Sequence, residues 1–136
     1  MNWKLIFTLS LFGLAMAIGT VYWIPGNIEL AFWLPIFIVC AFVIAKNCTS
    51  KYFLHGFLVS VLNCIWITSA HILLYHTYIA NHPEEAEMMG KMPYNTHPRL
   101  MMLLVGPFFG IIFGLILGLF SWIASKIVKN KVVGVN

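Results

Sequence analysis

The chain has 136 residues, of which 61% are hydrophobic and 9% are charged, and its formal net charge is +4. Such a composition leaves no room for a separate soluble catalytic domain and predicts one integral membrane domain over residues 1–136. Because the excess lysines flank apolar segments, we expect membrane lipid as a partner and no nucleic acid.

Four long uncharged segments each supply, or nearly supply, the roughly 20 residues that a helix needs to cross a bilayer. The predicted fold is all-α, an antiparallel four-helix transmembrane bundle with spans at about 5–24, 28–45, 53–78 and 100–123. The first apolar run resembles a signal peptide up to Ala15-Met16-Ala17, but it continues to Ile24, so we interpret it as a span. Cleavage there would leave three spans.

The loop over 81–99 is the only long connection between these spans. Pro83 suits the first turn of a helix, Glu84 and Glu85 suit the positive N-terminal end of its dipole, and Gly90 suits its C-terminus. These residues predict a short interfacial helix from Pro83 to Met89.

The basic residues are distributed unevenly between the two sides of a four-span protein. One side has two, Lys91 and Arg99, together with all four acidic residues; the other has Lys4, Lys46, Lys51, Lys126, Lys129 and Lys131. The positive-inside rule therefore predicts cytoplasmic N- and C-termini, in a multi-pass protein of a bacterial inner (plasma) membrane.

Small residues recur at every fourth position in the last span, and we call this set the glycine stripe: Gly106, Gly110, Gly114 and Gly118. Gly56, Ser60, Cys64 and Thr68 offer a similar face on the third span. Small residues allow close approach of helices in lipid. We favour packing within one bundle, with a subunit interface or a pore lining as alternatives.

Polar residues within the spans are few. Asn63 lies near the middle of the third span, and His71 lies nearer its outer end, on a face that continues through Tyr75. Pro35 and Pro107 fall at the depth of His71 and free carbonyl groups. The favoured interpretation is that His71 bonds a freed carbonyl of Ala31 or Leu103 and stabilises the bundle; the alternative is that these five residues form a small polar binding pocket in the outer leaflet.

Histidine and methionine side chains also cluster between the third and fourth spans, and copper would suit such ligands. The candidates are His76, His82, His97, Met88 and Met92. No thiolate joins them and their spacing fits no closed motif, so packing is the favoured interpretation and no cofactor is expected. The three cysteines, with no Cys-x-x-Cys pair, are interpreted as reduced packing residues.

No sequence motif identifies an activity. The leading hypothesis is a non-enzymatic membrane protein that associates with itself or with another membrane subunit and has the outer pocket described above. A small transporter or channel is the first alternative, and a metal-handling protein is the second. The absence of a carboxylate deep inside a span argues against a proton-coupled antiporter.

Overall fold

A computed structural model describes residues 1–93 and 96–133, with side chains over 1–93 and 96–128. The described residues form six helices and no strand. The helices are α1 (Trp3–Tyr22), α2 (Gly26–Asn47), α3 (Tyr52–Leu73), α4 (Tyr75–Asn81), α5 (Pro83–Lys91) and α6 (Pro98–Val133). Four of them, α1, α2, α3 and α6, are long and apolar enough to cross a membrane.

Local sequence accounts for several helix ends. The side chain of Asn2 caps α1 by accepting a hydrogen bond from the Leu5 amide at 3.1 Å. Pro83 begins α5, and Glu84 and Glu85 occupy its first turn, where the helix dipole favours acidic groups. A short helix is therefore present where one was predicted over Pro83–Met89, and it is two residues longer.

The third long helix ends earlier than its hydrophobic pattern predicts. We expected it to continue to residue 78, whereas α3 ends at Leu73, and Leu74 (φ −104°, ψ 32°) separates it from α4. No proline or glycine causes this break. Contacts between α4 and α1, described below, stabilise the changed direction of the chain after Leu74. Tertiary contacts therefore override the local preference for a continuous helix.

The glycine stripe lies against α3. A Cβ atom built on Gly110 would lie 2.8 Å from the Cys64 Cβ, and one built on Gly118 would lie 2.9 Å from the Phe53 carbonyl oxygen. Gly106 likewise lies against Thr68, and Gly114 against Phe57. The stripe is thus occupied by a contact within the chain. From Gly106 to Gly118 the residue numbers on α6 increase, while those of the contacted residues on α3 decrease from Thr68 to Phe53. The two helices therefore run in opposite directions.

Two apolar clusters form the interior. The larger one joins α1, α2, α3 and α6, and its fully buried members include Ile6, Ile44, Val59 and Leu117. The smaller one joins Val21 of α1, Tyr78 of α4 and Met102 of α6. We call the side with α4 and α5 the α5 end of the molecule, and the side with residues 48–51 the loop end.

The last helix is longer than the predicted span of 100–123. It continues to Val133 and is 36 residues long, or about 54 Å at 1.5 Å per residue, beyond the roughly 30 Å of a hydrocarbon core. The side chains of Lys129 and Lys131, which contribute to the predicted topology, lie outside the described side chains.

Candidate functional site

A cavity of about 510 Å³ lies among α2, α3 and α6, beneath α5. Its volume is within the range of roughly 300–1,000 Å³ typical of small-molecule sites. It extends from Asn63, midway along α3, to His71, eight residues nearer the α5 end. At 1.5 Å per residue, this separation is about 12 Å along the helix.

Asn63 lines the inner end of the cavity and is 3% exposed. Neither its side-chain oxygen nor its side-chain nitrogen has a hydrogen-bond partner among the described residues. Its side-chain oxygen lies against Gly13 of α1, where an added Cβ would also lie 2.7 Å from the Asn63 Cα. Burying an amide without partners costs free energy, so this position disfavours asparagine in the empty protein.

Aromatic side chains form much of the cavity wall. Trp33 and Phe37 come from α2, and Phe109 and Phe113 come from α6. The rings of Phe37 and Phe113 meet edge to face with centroids 6.1 Å apart, closing the wall between the two helices near Asn63. Methionines complete the surface near α5: Met88, Met89, Met92, Met101 and Met102. Such flexible thioether side chains adapt to varied apolar shapes.

The wall that α2 and α6 contribute to the cavity is thin at two side chains, one on each helix. Leu30 and Phe109 both line the cavity, although they are 66% and 49% exposed. Only a single layer of side chains therefore separates this part of the cavity from the surroundings of the helices.

Two carboxylates line the cavity at its α5 end, Glu29 of α2 and Glu85 of α5. Glu29 accepts a hydrogen bond from the indole nitrogen of Trp33 at 3.1 Å. The pKa of Tyr78 is raised mainly by burial and to a smaller extent by the nearby charges of Glu85 and Glu29, so its phenol stays neutral. Among the described lining residues there is no lysine or arginine.

His71 also lines the cavity, and its Nε2 lies 3.0 Å from the hydroxyl oxygen of Thr20 on α1. Thr20 donates its only hydroxyl proton to the carbonyl of Ala17 at 3.1 Å. His71 Nε2 must then be the donor to Thr20, which leaves Nδ1 as an acceptor in the neutral ring. The imidazole stacks on Tyr78, with centroids 4.0 Å apart.

The end of α4 is fixed to the end of α1 by side chains that bond backbone carbonyls. Asn81 donates to the carbonyl of Val21 at 2.7 Å, and the two ring nitrogens of His82 lie 2.9 Å and 3.0 Å from the carbonyls of Tyr78 and Ile24. Asn81 thereby satisfies a carbonyl that a helix end leaves unpaired, and His82 donates to one of its two carbonyls when its ring is neutral and to both when it is protonated. These contacts also position α5, which begins at the next residue, over the cavity.

The sequence-predicted pocket residues are only partly brought together. Asn63 and His71 line the same cavity, whereas Tyr75, Pro35 and Pro107 are outside its lining. Because α3 ends at Leu73, Tyr75 turns toward Arg99, whose guanidinium lies 5.5 Å from its ring. His71 bonds Thr20, not the freed carbonyls that we had suggested as its partners.

Sequence reasoning missed Glu29, Glu85 and Trp33 as cavity residues. Glu29 and Trp33 are four residues apart, a spacing that places them on one face of α2 and could have suggested the pair. The position of Glu85 over the cavity depends on how α5 folds back. No local pattern predicts that position.

The five candidate metal ligands do not converge. His76 and His97 line a separate depression of about 280 Å³, Met88 and Met92 line the main cavity, and His82 is used on backbone carbonyls. Within residues 1–93 and 96–133, no group of three His, Cys, Asp or Glu side chains could hold a metal ion. This geometry gives the copper hypothesis no support.

No family model, curated protein or solved structure matches this chain. The fold alone does not define a function, whereas the cavity has a chemistry from which one can be inferred.

Proposed function

We propose that this chain is a non-enzymatic membrane protein that binds a small, mainly apolar molecule in the cavity beneath α5. The observation that carries the proposal is the buried, unpaired amide of Asn63 at the inner end of an aromatic-lined cavity. A ligand with a hydroxyl, amide or carbonyl group would satisfy that amide and remove the cost of leaving it unpaired.

We infer that α1, α2, α3 and α6 cross the membrane as an antiparallel bundle with both termini in the cytoplasm. The lengths and hydropathy of these helices and the lysine distribution support this placement. In this orientation the α5 end faces outward and the cavity occupies the outer half of the membrane. The thin wall at Leu30 and Phe109 would then face lipid, giving an apolar ligand a lateral path of entry.

Binding of triphenylphosphine oxide to the purified protein tests the proposal. This neutral probe has an apolar body and one oxygen that can accept a hydrogen bond from the Asn63 amide. We expect saturable binding that is weakened about 2- to 12-fold by Asn63→Leu, the effect of one hydrogen bond worth roughly 0.5–1.5 kcal/mol.

A matched pair of variants separates cavity binding from partition into detergent. Val105 lines the cavity, so Val105→Trp should fill it and abolish saturable binding. Leu104, its neighbour on α6, is 63% exposed and outside the lining, so Leu104→Trp should bind like the parent protein. Equal binding by both tryptophan variants would contradict the proposal.

A further inference from the structure

The charges at the α5 end of the cavity have one sign. Glu29 and Glu85 come from different helices and line the same space, and neither forms an ion pair within the described part of the chain. The neighbouring acid Glu87 is different, because it pairs with Lys91 and lies outside the lining. The cavity carboxylates therefore have no lysine or arginine counterion in the described structure.

The nearby bases are already engaged elsewhere. Arg99 lies over the ring of Tyr75, and His71 Nε2 bonds the Thr20 hydroxyl. His82 is 2% exposed, is outside the cavity lining, and directs both ring nitrogens at backbone carbonyls. A protonated His82 would act on Glu29 through space, but it forms no ion pair with either carboxylate, so a cation in direct contact with Glu29 and Glu85 would have to come from a bound molecule.

A second and independent feature indicates a ligand in the same space. The unpaired amide of Asn63 lies about 12 Å along α3 from His71 and forms no hydrogen bond with either carboxylate. Between them lies an apolar wall that includes the indole of Trp33 and the ring of Tyr78. Aromatic faces attract cations, and carboxylates next to a low-dielectric wall attract them strongly.

From this arrangement we propose that the cavity selects amphipathic cations, with the positive group held between Glu29 and Glu85 and the apolar body directed toward Asn63. This selectivity rests on the proposed ligand-binding function. The present proposal specifies in addition that the ligand is positively charged and that Glu29 and Glu85 recognise this charge.

Tetraphenylphosphonium and tetraphenylborate provide the test, because they have nearly the same shape and opposite charge. Their binding to the full-length protein in detergent is measured by equilibrium dialysis, and binding to Val105→Trp is subtracted as micelle partition. We expect tetraphenylphosphonium to bind more tightly by at least about tenfold, from Coulomb attraction at a few Å in a partly buried site.

Glutamine variants then identify the source of the selectivity. Glu29→Gln and Glu85→Gln should each weaken tetraphenylphosphonium binding by about 3- to 10-fold, while leaving triphenylphosphine oxide binding unchanged. Glu87→Gln, on the same helix as Glu85 but outside the cavity, should change neither affinity.

The outcomes distinguish the selectivity from the binding function. Equal affinities for the two ions, both lost in Val105→Trp, would overturn cation selection and leave the binding function in place. Tighter binding of tetraphenylborate would overturn it as well, in favour of an anionic ligand. If the folded protein bound none of the three probes above the Val105→Trp background, the proposed function itself would fail.

Discussion

Replacing Asn63 with leucine should make the empty protein more stable. Leucine has nearly the shape of asparagine, so the contact with Gly13 is kept, while two unpaired polar atoms disappear from a site that is 3% exposed. Relieving an unsatisfied buried polar group is worth about 1–3 kcal/mol, and less where the unfolded helices in a membrane also find partners.

Thermal unfolding of the purified variant in detergent measures this effect. A gain of 1 kcal/mol corresponds to a rise in Tm of roughly 2–8 °C for domains of comparable size, so a rise of several degrees is expected. The same variant should bind triphenylphosphine oxide more weakly. Higher stability combined with weaker binding is typical of a residue kept for function at a cost in stability.

Thr20→Val is the matched control, since it also replaces a buried polar side chain with an apolar one of the same shape. Thr20 is fully buried, but its hydroxyl bonds both Ala17 and His71, so this variant should lose stability by about 1–2 kcal/mol. A fall in Tm for Asn63→Leu, similar to that for Thr20→Val, would refute the reasoning. It would mean that the Asn63 amide already makes stabilising contacts without a ligand.

Three further predictions concern packing, reactivity and topology. Gly118→Ala should lower the free energy of unfolding in detergent by about 1–3 kcal/mol, because its Cβ would press on a backbone carbonyl. The Cβ of the control variant Gly90→Ala meets nothing within 4 Å, so this variant should not be destabilised. Equal effects of the two substitutions would contradict the close packing of α6 on α3. Burial raises the pKa of the Cys48 thiol. In a variant with the other two cysteines changed to serine, the reaction of Cys48 with maleimide should therefore reach its half-maximal rate at a higher pH than the reaction of free cysteine. A midpoint at or below that of free cysteine would argue against burial. Alkaline phosphatase fused after Asn136 should be inactive and an insertion near Glu87 active, and the reverse pattern would refute the orientation.

The helices follow directly from sequence where a single physical effect dominates. Long uncharged runs predict the four apolar helices, and Pro83 followed by two glutamates predicts the start of α5. The stripe from Gly106 to Gly118 predicts a close helix contact, because few other roles suit glycine at every fourth position in an apolar helix.

The cavity could be foreseen only in part, since it depends on contacts between distant residues. Asn63 and His71 were candidates because polar side chains within a span require partners. The break at Leu74 has no local signal, and it moves Tyr75 away from the cavity and Tyr78 into its lining. The carboxylate of Glu85 reaches the cavity only because His82 and Asn81 fix α4 to α1.

The central claim is that the ligand's polar group binds the Asn63 amide, and side-chain amide NMR tests it most directly. With ¹⁵N-labelled asparagine, the Asn63 resonance is assigned by its loss in Asn63→Leu, and triphenylphosphine oxide is then titrated into the parent protein and into Val105→Trp. We predict a saturable shift of the Asn63 amide signal in the parent protein and none in Val105→Trp. An Asn63 signal that stays unchanged at saturating probe would contradict the account.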